Sequence, residues 1–269
     1  MEILTILLSG LLGLITPAGL IIDRTGENAL RSQLAKVEQL QVRVDNAPTH
    51  QLLQGKVETV RITGRSLQLK KQDIRIALLE LETDAIELEP RSLRRGKPKL
   101  KRPFQSGVRL VLTQQDVNKI LQSPQIIEKL RQIKISDFDS SNTRTDKTYN
   151  FINPKIEFLT NNRLKLQVEL QEKGKGKPLL IVAESGLSIV RGRQIELIDP
   201  LVVVDKEVVP PQFLNVILNN INKRLDLGRF EDDGLQMRIL KLNVRQAELE
   251  IAAFLRIEPS SRFLETPRS

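Results

Sequence analysis

The chain has 269 residues, enough for one substantial domain or two small ones, and its 40% hydrophobic and 28% charged content excludes a disordered polymer. It contains no cysteine, no tryptophan, one histidine, one tyrosine and eight phenylalanines, which excludes disulfides, thiolate chemistry and a Cys- or His-rich metal centre and leaves Leu, Ile and Val to build the core. The formal charge of +9 suits an acidic partner, either nucleic acid or an anionic lipid surface, against the plainer reading of a soluble basic surface.

Residues 3–22, ILTILLSGLLGLITPAGLII, carry no charge. As a helix they would span roughly 30 Å, the thickness of a bilayer core. Thr5, Ser9, Thr16 and Pro17 dilute the run, Glu2 stands where a secretory signal carries bases, and the first base, Arg24, follows the run. Residues 1–22 are expected to form a membrane anchor or a membrane-lying segment, with a cleaved signal or a core segment as the other readings. Residues 23–259 are expected to form one domain, and 260–269 a frayed tail.

From Asp23 to Gln39 the spacing of Ala29, Leu30, Leu34 and Val37 predicts a helix. The period then changes to two, with Leu40, Val42 and Val44 alternating against Gln41, Arg43 and Asp45. Similar runs follow at 57–63, 67–79, 84–89, 106–112 and 163–170, and two more fit 235–244 and 248–257. Such alternation predicts antiparallel strands with one covered face and one wet face. Turn chemistry separates the later strands at Asn161–Asn162, at KGKGKP (173–178), at Arg191–Arg193 and at Asp205–Lys206. Two amphipathic helices interrupt the strands. One begins at Thr113, with Asp116 three residues on, and is broken or restarted by Pro124. The other follows Pro210–Pro211 and lines up Leu214, Ile217, Leu218, Ile221 and Leu225 on one face. The resulting expectation is an α+β fold, a long, curved antiparallel sheet wrapped around amphipathic helices, enclosing either a packed core or an apolar cavity.

Reactive groups are sparse. His50 is a loop residue, AESGLS at 183–188 lacks the nucleophile-elbow spacing, and GKGKP lacks the phosphate-loop spacing. Glu231, Asp232 and Asp233 read as a polar turn ending in Gly234, and Glu82 with Asp84 lacks any supporting group. No catalytic residue, metal ligand or cofactor site is expected, and the chain is read as a non-enzyme. The strongest charge feature is RSLRRGKPKLKR, where Arg91, Arg94, Arg95, Lys97, Lys99, Lys101 and Arg102 follow one another without an acid. Anionic headgroups suit this segment better than nucleic acid, because no aromatic ring is present for bases to stack on.

Taken together, PTHQLLQGKVETVRITGRSLQL, LETDAIELEP, VRLVLTQQDVNKILQSP and PKIEFLTNNRLKLQVEL resemble the cyanobacterial and plastid branch of the LmeA family of phospholipid-binding proteins, long known as a domain of unknown function. The similarity continues through ESGLSIVRGRQIELIDP and VPPQFLNVILNNI to about residue 258. It implies a fold like the tubular lipid-binding proteins related to the bactericidal/permeability-increasing protein, with acyl chains held between sheet and helix. Phospholipid is then the expected partner, bound or transferred without catalysis at an anionic membrane. Val60, Ile62, Ile86, Leu214, Ile217, Leu218 and Ile221 are the expected apolar lining. The competing reading is a membrane-associated structural or assembly factor with a filled core.

Overall fold

The computed structural model describes residues 31, 34–45, 55–70, 74–94, 99–131, 149–172, 177–210, 214, 218, 221, 222 and 225–262. The apolar segment 1–22, His50, Arg95, Lys97 and Ile217 lie outside the described residues. In chain order the strands are β1 (Leu34–Lys36), β2 (Gln39–Asp45), β3 (Lys56–Val57), β4 (Thr59–Leu69), β5 (Arg75–Thr83), β6 (Ile86–Glu87), β7 (Phe104–Thr113), β8 (Tyr149–Phe158), β9 (Arg163–Glu172), β10 (Leu179–Val190), β11 (Gln194–Val204), β12 (Glu207–Val208), β13 (Leu235–Val244) and β14 (Glu248–Ile257). The helices are α1 (Pro90–Arg94), α2 (Gln114–Leu121) and α3 (Pro124–Arg131), with a 3-10 turn at Leu227–Phe230.

The chain divides into two compact units, the first comprising Met1–Leu112, Leu227–Lys241 and Glu250–Ser269, the second Thr113–Asp226 and Leu242–Leu249. Strands β1, β4, β5, β7, β14 and β13 form a sheet in that order, and β2 also pairs with β4. Its buried face carries Val60, Ile62 and Leu67 from β4, Leu79 and Leu81 from β5, and Leu255 and Ile257 from β14. The alternation in β4 changes phase at Ser66, whose φ of 52° lies in the left-handed region. Leu67 rather than Gln68 therefore turns inward, and its side chain folds over Gly64, where an added Cβ would lie 2.7 Å from Leu67 Cδ1.

The water-facing side of the same strands is laced by charge. Arg61 bridges Asp45 at 2.6 Å and Glu82 at 3.0 Å, and Arg109 bridges Glu80 at 3.0 Å and Glu250 at 2.8 Å. Lys241 completes the row at 2.9 Å from Glu250. Hydrogen bonds from Lys241 and Arg109 hold the Glu250 carboxyl below its ordinary value. Glu82, one of the two carboxylates with no evident supporting group in the sequence, is thus an ion-pair partner, and Asp84 accepts the Gln105 N–H at 2.7 Å.

In the second unit β12, β11, β10, β9 and β8 form an antiparallel meander. Its outermost strand β8 would expose unpaired backbone groups. Helix α2 supplies the partners: Asn118 Nδ2 donates to the Ile156 carbonyl at 2.8 Å, its Oδ1 accepts the Ile156 N–H at 2.7 Å, and Gln114 Oε1 accepts the Phe158 N–H at 2.6 Å. The helix begins where the sequence predicts, with Thr113 as N-cap and Asp116 completing a capping box.

The expected α+β class is overturned. The described residues are predominantly strand, and the helices α1, α2 and α3 are short, of five to eight residues. The apolar stretch after Thr113 is divided at Ser123–Pro124 into two eight-residue helices, because proline ends one hydrogen-bond ladder and opens the next. In the second expected helix, Leu214, Leu218 and Ile221 are helical. The expected helix through Leu34 becomes strand β1, in which Leu34 is buried and pairs with Leu69. The single run expected over 67–79 is divided between two strands, β4 ending at Leu69 and β5 beginning at Arg75, and 84–89 contributes only the two-residue β6. The antiparallel character holds, whereas the one long sheet is resolved into separate sheets. Ser261, within the expected tail, is 2% exposed, and its hydroxyl donates to the Asp233 carbonyl at 3.0 Å.

Candidate functional site

The residues expected to line an acyl cavity fall in both units. Val60 and Ile62 sit in the packed face of β4, and Ile86 is buried in β6 opposite Val57. Leu214 is buried, and Leu218 and Ile221 are half-buried, in the second unit. Of the basic run, Arg91, Lys99, Lys101 and Arg102 are all exposed, and the last two reach Glu87 at 3.8 and 2.6 Å. Arg94 ends α1, and its side chain lies outside the described ones.

A different surface stands out in the second unit. Strand register places Ile156, Leu166, Ala183 and Val202 side by side across β8, β9, β10 and β11. The adjacent row joins Val168, Ile181 and Val204, and beyond a bulge in β11 the pairs Leu187–Leu197 and Ile189–Ile195 continue on the same face. Side chains two residues apart on a strand share a face, so these rows form one aliphatic surface. Towards β8 it is covered, with Phe158 and Val168 buried. Across β10 and β11, Ile181, Leu187, Leu197, Val202 and Val204 are only half-buried. Each leaves apolar area whose cover would contribute about 1 kcal/mol.

A turn and a bulge hold this wall in place. Asn161 and Asn162 both adopt left-handed conformations, at φ 56° and 58°, and close the β8–β9 hairpin. Asn162 then ties three elements together: its Oδ1 accepts the Val244 N–H at 2.7 Å, its Nδ2 donates to the Leu187 carbonyl at 2.6 Å, and its own carbonyl accepts the Leu187 N–H at 3.0 Å. An open depression of about 530 Å³ lies between this turn and Asn243–Glu248. At the β11 bulge, Asp199 has φ 43°, and Ser185 Oγ donates to the Ile198 carbonyl at 3.0 Å.

The opposite face of β8 and β9 is ionic. Arg163 meets Glu184 at 3.0 Å, Lys165 meets Glu157 at 3.4 Å, and Asn153 donates to Glu169 at 3.1 Å. Among the described residues, no group of three or more His, Asp or Glu side chains could hold a metal ion.

Sequence reasoning found the inward-facing residues of β9 but missed those of β10 and β11. The available signal was the consecutive apolar runs Leu179–Val182 and Leu201–Val204, which do not alternate and so point to a strand with neither face committed to water.

A family model described as LmeA-like phospholipid-binding matches residues 15–254. Comparison with curated proteins and with solved structures gave no match. No helix among the described residues is long and apolar enough to cross a membrane.

Proposed function

Starting from a chain that belongs to the LmeA-like phospholipid-binding family, we propose that the aliphatic face of β9, β10 and β11 receives phospholipid acyl chains. The observation that carries this reading is the continuous set of half-buried Leu, Ile and Val side chains across three paired strands. A smooth aliphatic wall favours chains over headgroups and offers no directional group for catalysis, so the proposed role is non-enzymatic binding, with transfer between membranes as its use. It is the part of the tubular lipid-binding analogy that the proposal retains.

The energetics suit exchange. Taking about ten methylenes out of water contributes about 8 kcal/mol, but a lipid arriving from a bilayer was already dry. The net drive between protein and membrane is therefore small, which permits loading and release. The apolar segment 1–22, uncharged from residue 3 onward, is proposed to keep the protein at the membrane, as an anchor or as a membrane-lying segment. The exposed bases Arg91 and Lys99 would favour an anionic surface.

Native mass spectrometry of the gently purified protein, before and after incubation with phospholipid vesicles, tests this. Stoichiometric phospholipid is expected in the wild type and a strong reduction in Leu166→Asp and Val202→Asp, each placing a charge on the wall. A wild type that neither retains nor takes up phospholipid overturns the proposal. Co-purification with one stoichiometric protein instead would favour the assembly-factor reading.

A further inference from the structure

At one margin of the five-stranded sheet, β10 and β11 carry apolar side chains on both faces, while β12 has Val208 on one face and Glu207 on the other. Register puts Leu180, Val182, Leu201, Val203 and Val208 on the side opposite the aliphatic wall, at the start of β10, the end of β11 and in β12. Leu179 lies on the wall side at the same end. Leu180 and Leu201 are each 46% exposed, and Val208 is 61% exposed. The outer face changes character along β10, because beyond Val182 it carries Glu184, opposite Leu201 and paired with Arg163, and towards β8 the Lys165–Glu157 pair. An ordinary half-wet sheet keeps its outer face polar throughout. Scattered exposed leucines are unremarkable, but a contiguous set on adjoining strands marks a contact surface.

We infer that this β10–β12 margin is the part of the protein that enters the surface of an anionic phospholipid bilayer. A docked protein would cover one face of the strands, whereas the acyl boundary of a bilayer surrounds both. Charge complements that choice. Lys177 is exposed just before β10, and Lys206 is exposed in the β11–β12 turn. Of the two acids beside Lys206, Asp205 accepts the Leu180 N–H at 3.0 Å and so braces the turn, while Glu207 faces water. Insertion is shallow. Strand β12 is the outermost strand, and its unpaired backbone groups stay within reach of headgroups and water rather than entering the hydrocarbon centre.

The inference deepens the phospholipid reading, from which it takes only the nature of the surface met, and the two are separable by experiment. Because the chain has no native tryptophan, Leu180→Trp and Val208→Trp in the full-length protein each report one location without background. Leu240→Trp, at a β13 residue 70% exposed in the first unit, serves as the control. With phosphatidylcholine–phosphatidylglycerol vesicles, emission from Trp at 180 and 208 is expected to shift to the blue and to be quenched by lipids brominated near the headgroup, while the control stays unchanged. Val208→Asp added to the Leu180→Trp protein is expected to abolish the blue shift at position 180, even where segment 1–22 still holds the protein on the vesicle. The phospholipid retained in native mass spectra should not change. Three results overturn the inference: no shift at either position, an equal shift in the control, or a shift that follows protein concentration without vesicles, which indicates self-association. Loss of retained phospholipid in the wild type with the tryptophan shifts intact would overturn the acyl-wall proposal and leave the docking margin standing.

Discussion

Replacing Asn162 with alanine removes more than its surface position suggests. Asn162 Oδ1 is the acceptor for the Val244 N–H at 2.7 Å, and Nδ2 is the donor to the Leu187 carbonyl at 2.6 Å. Val244 is only 3% exposed, so its amide has little access to replacement water. Two lost hydrogen bonds cost about 1 kcal/mol each. Alanine at φ 58° costs about 1 kcal/mol more, because the left-handed region crowds its Cβ against the following carbonyl. Asn162→Ala should therefore destabilise by about 3 kcal/mol, enough to be read directly from the urea midpoint. Asn162→Gly tolerates the backbone angle and should lose about 2 kcal/mol. Hydrogen exchange localises the effect: the Val244 amide should lose protection in both variants, while the strand amides at the centre of β13 and β14 keep theirs. A cost below about 1 kcal/mol for alanine, glycine faring no better than alanine, or an unchanged Val244 amide would refute the reasoning.

Two glycines should respond differently to the same methyl group. At Gly64 the nearest obstacle is the Leu67 side chain, at 2.7 Å, so Gly64→Ala should cost about 1–3 kcal/mol and be partly relieved in combination with Leu67→Ala, as a double-mutant cycle would read. At Gly234 the φ is +79° and the obstacle is the Ser261 Cα, 2.8 Å away, so Gly234→Ala should cost more and Ser261→Gly should not rescue it. Glu250→Gln should cost about 1 kcal/mol at neutral pH, since both basic partners are half-exposed. The sign of its pH dependence follows from the lowered carboxyl: the stabilisation is complete above the ordinary carboxylate range and is lost as pH falls through the lowered folded-state value. Wild type and Glu250→Gln should therefore converge in acid unfolding curves, and a gap that widens in acid would contradict the ion-pair account. Asn118→Ala should leave the Ile156 backbone groups on β8 without side-chain partners, which predicts faster exchange at that amide and a greater tendency to aggregate, measurable by light scattering.

Much of this protein was legible from local chemistry. Strands β13 and β14 fall on the bounds their alternation predicts, as does the start of β9, and the N-cap at Thr113 follows from its side chain reaching Asp116 three residues on. The turns at Asn161–Asn162, Arg191–Gly192 and Asp205–Lys206 have positive φ values, which the Asn, Gly and Asp residues among them favour. These features depend on neighbours within a few residues, and periodicity records them directly. Membership of a phospholipid-binding family was likewise carried by the order of short segments along nearly the whole chain.

The tertiary structure decided which apolar residues are packed and which are left open. Val60, Ile62 and Ile86 look no different in sequence from Leu166, Ile181 and Val202, yet the first three are buried in the first unit and the latter three line a half-covered wall in the second. Pairing of charge is likewise a tertiary matter, because Lys101 and Arg102 stay exposed and yet reach back to Glu87. Alternation states that a strand has an apolar face. Only strand pairing and the elements laid over it determine what covers that face, since burial is a property of chain segments far apart in sequence and close in space.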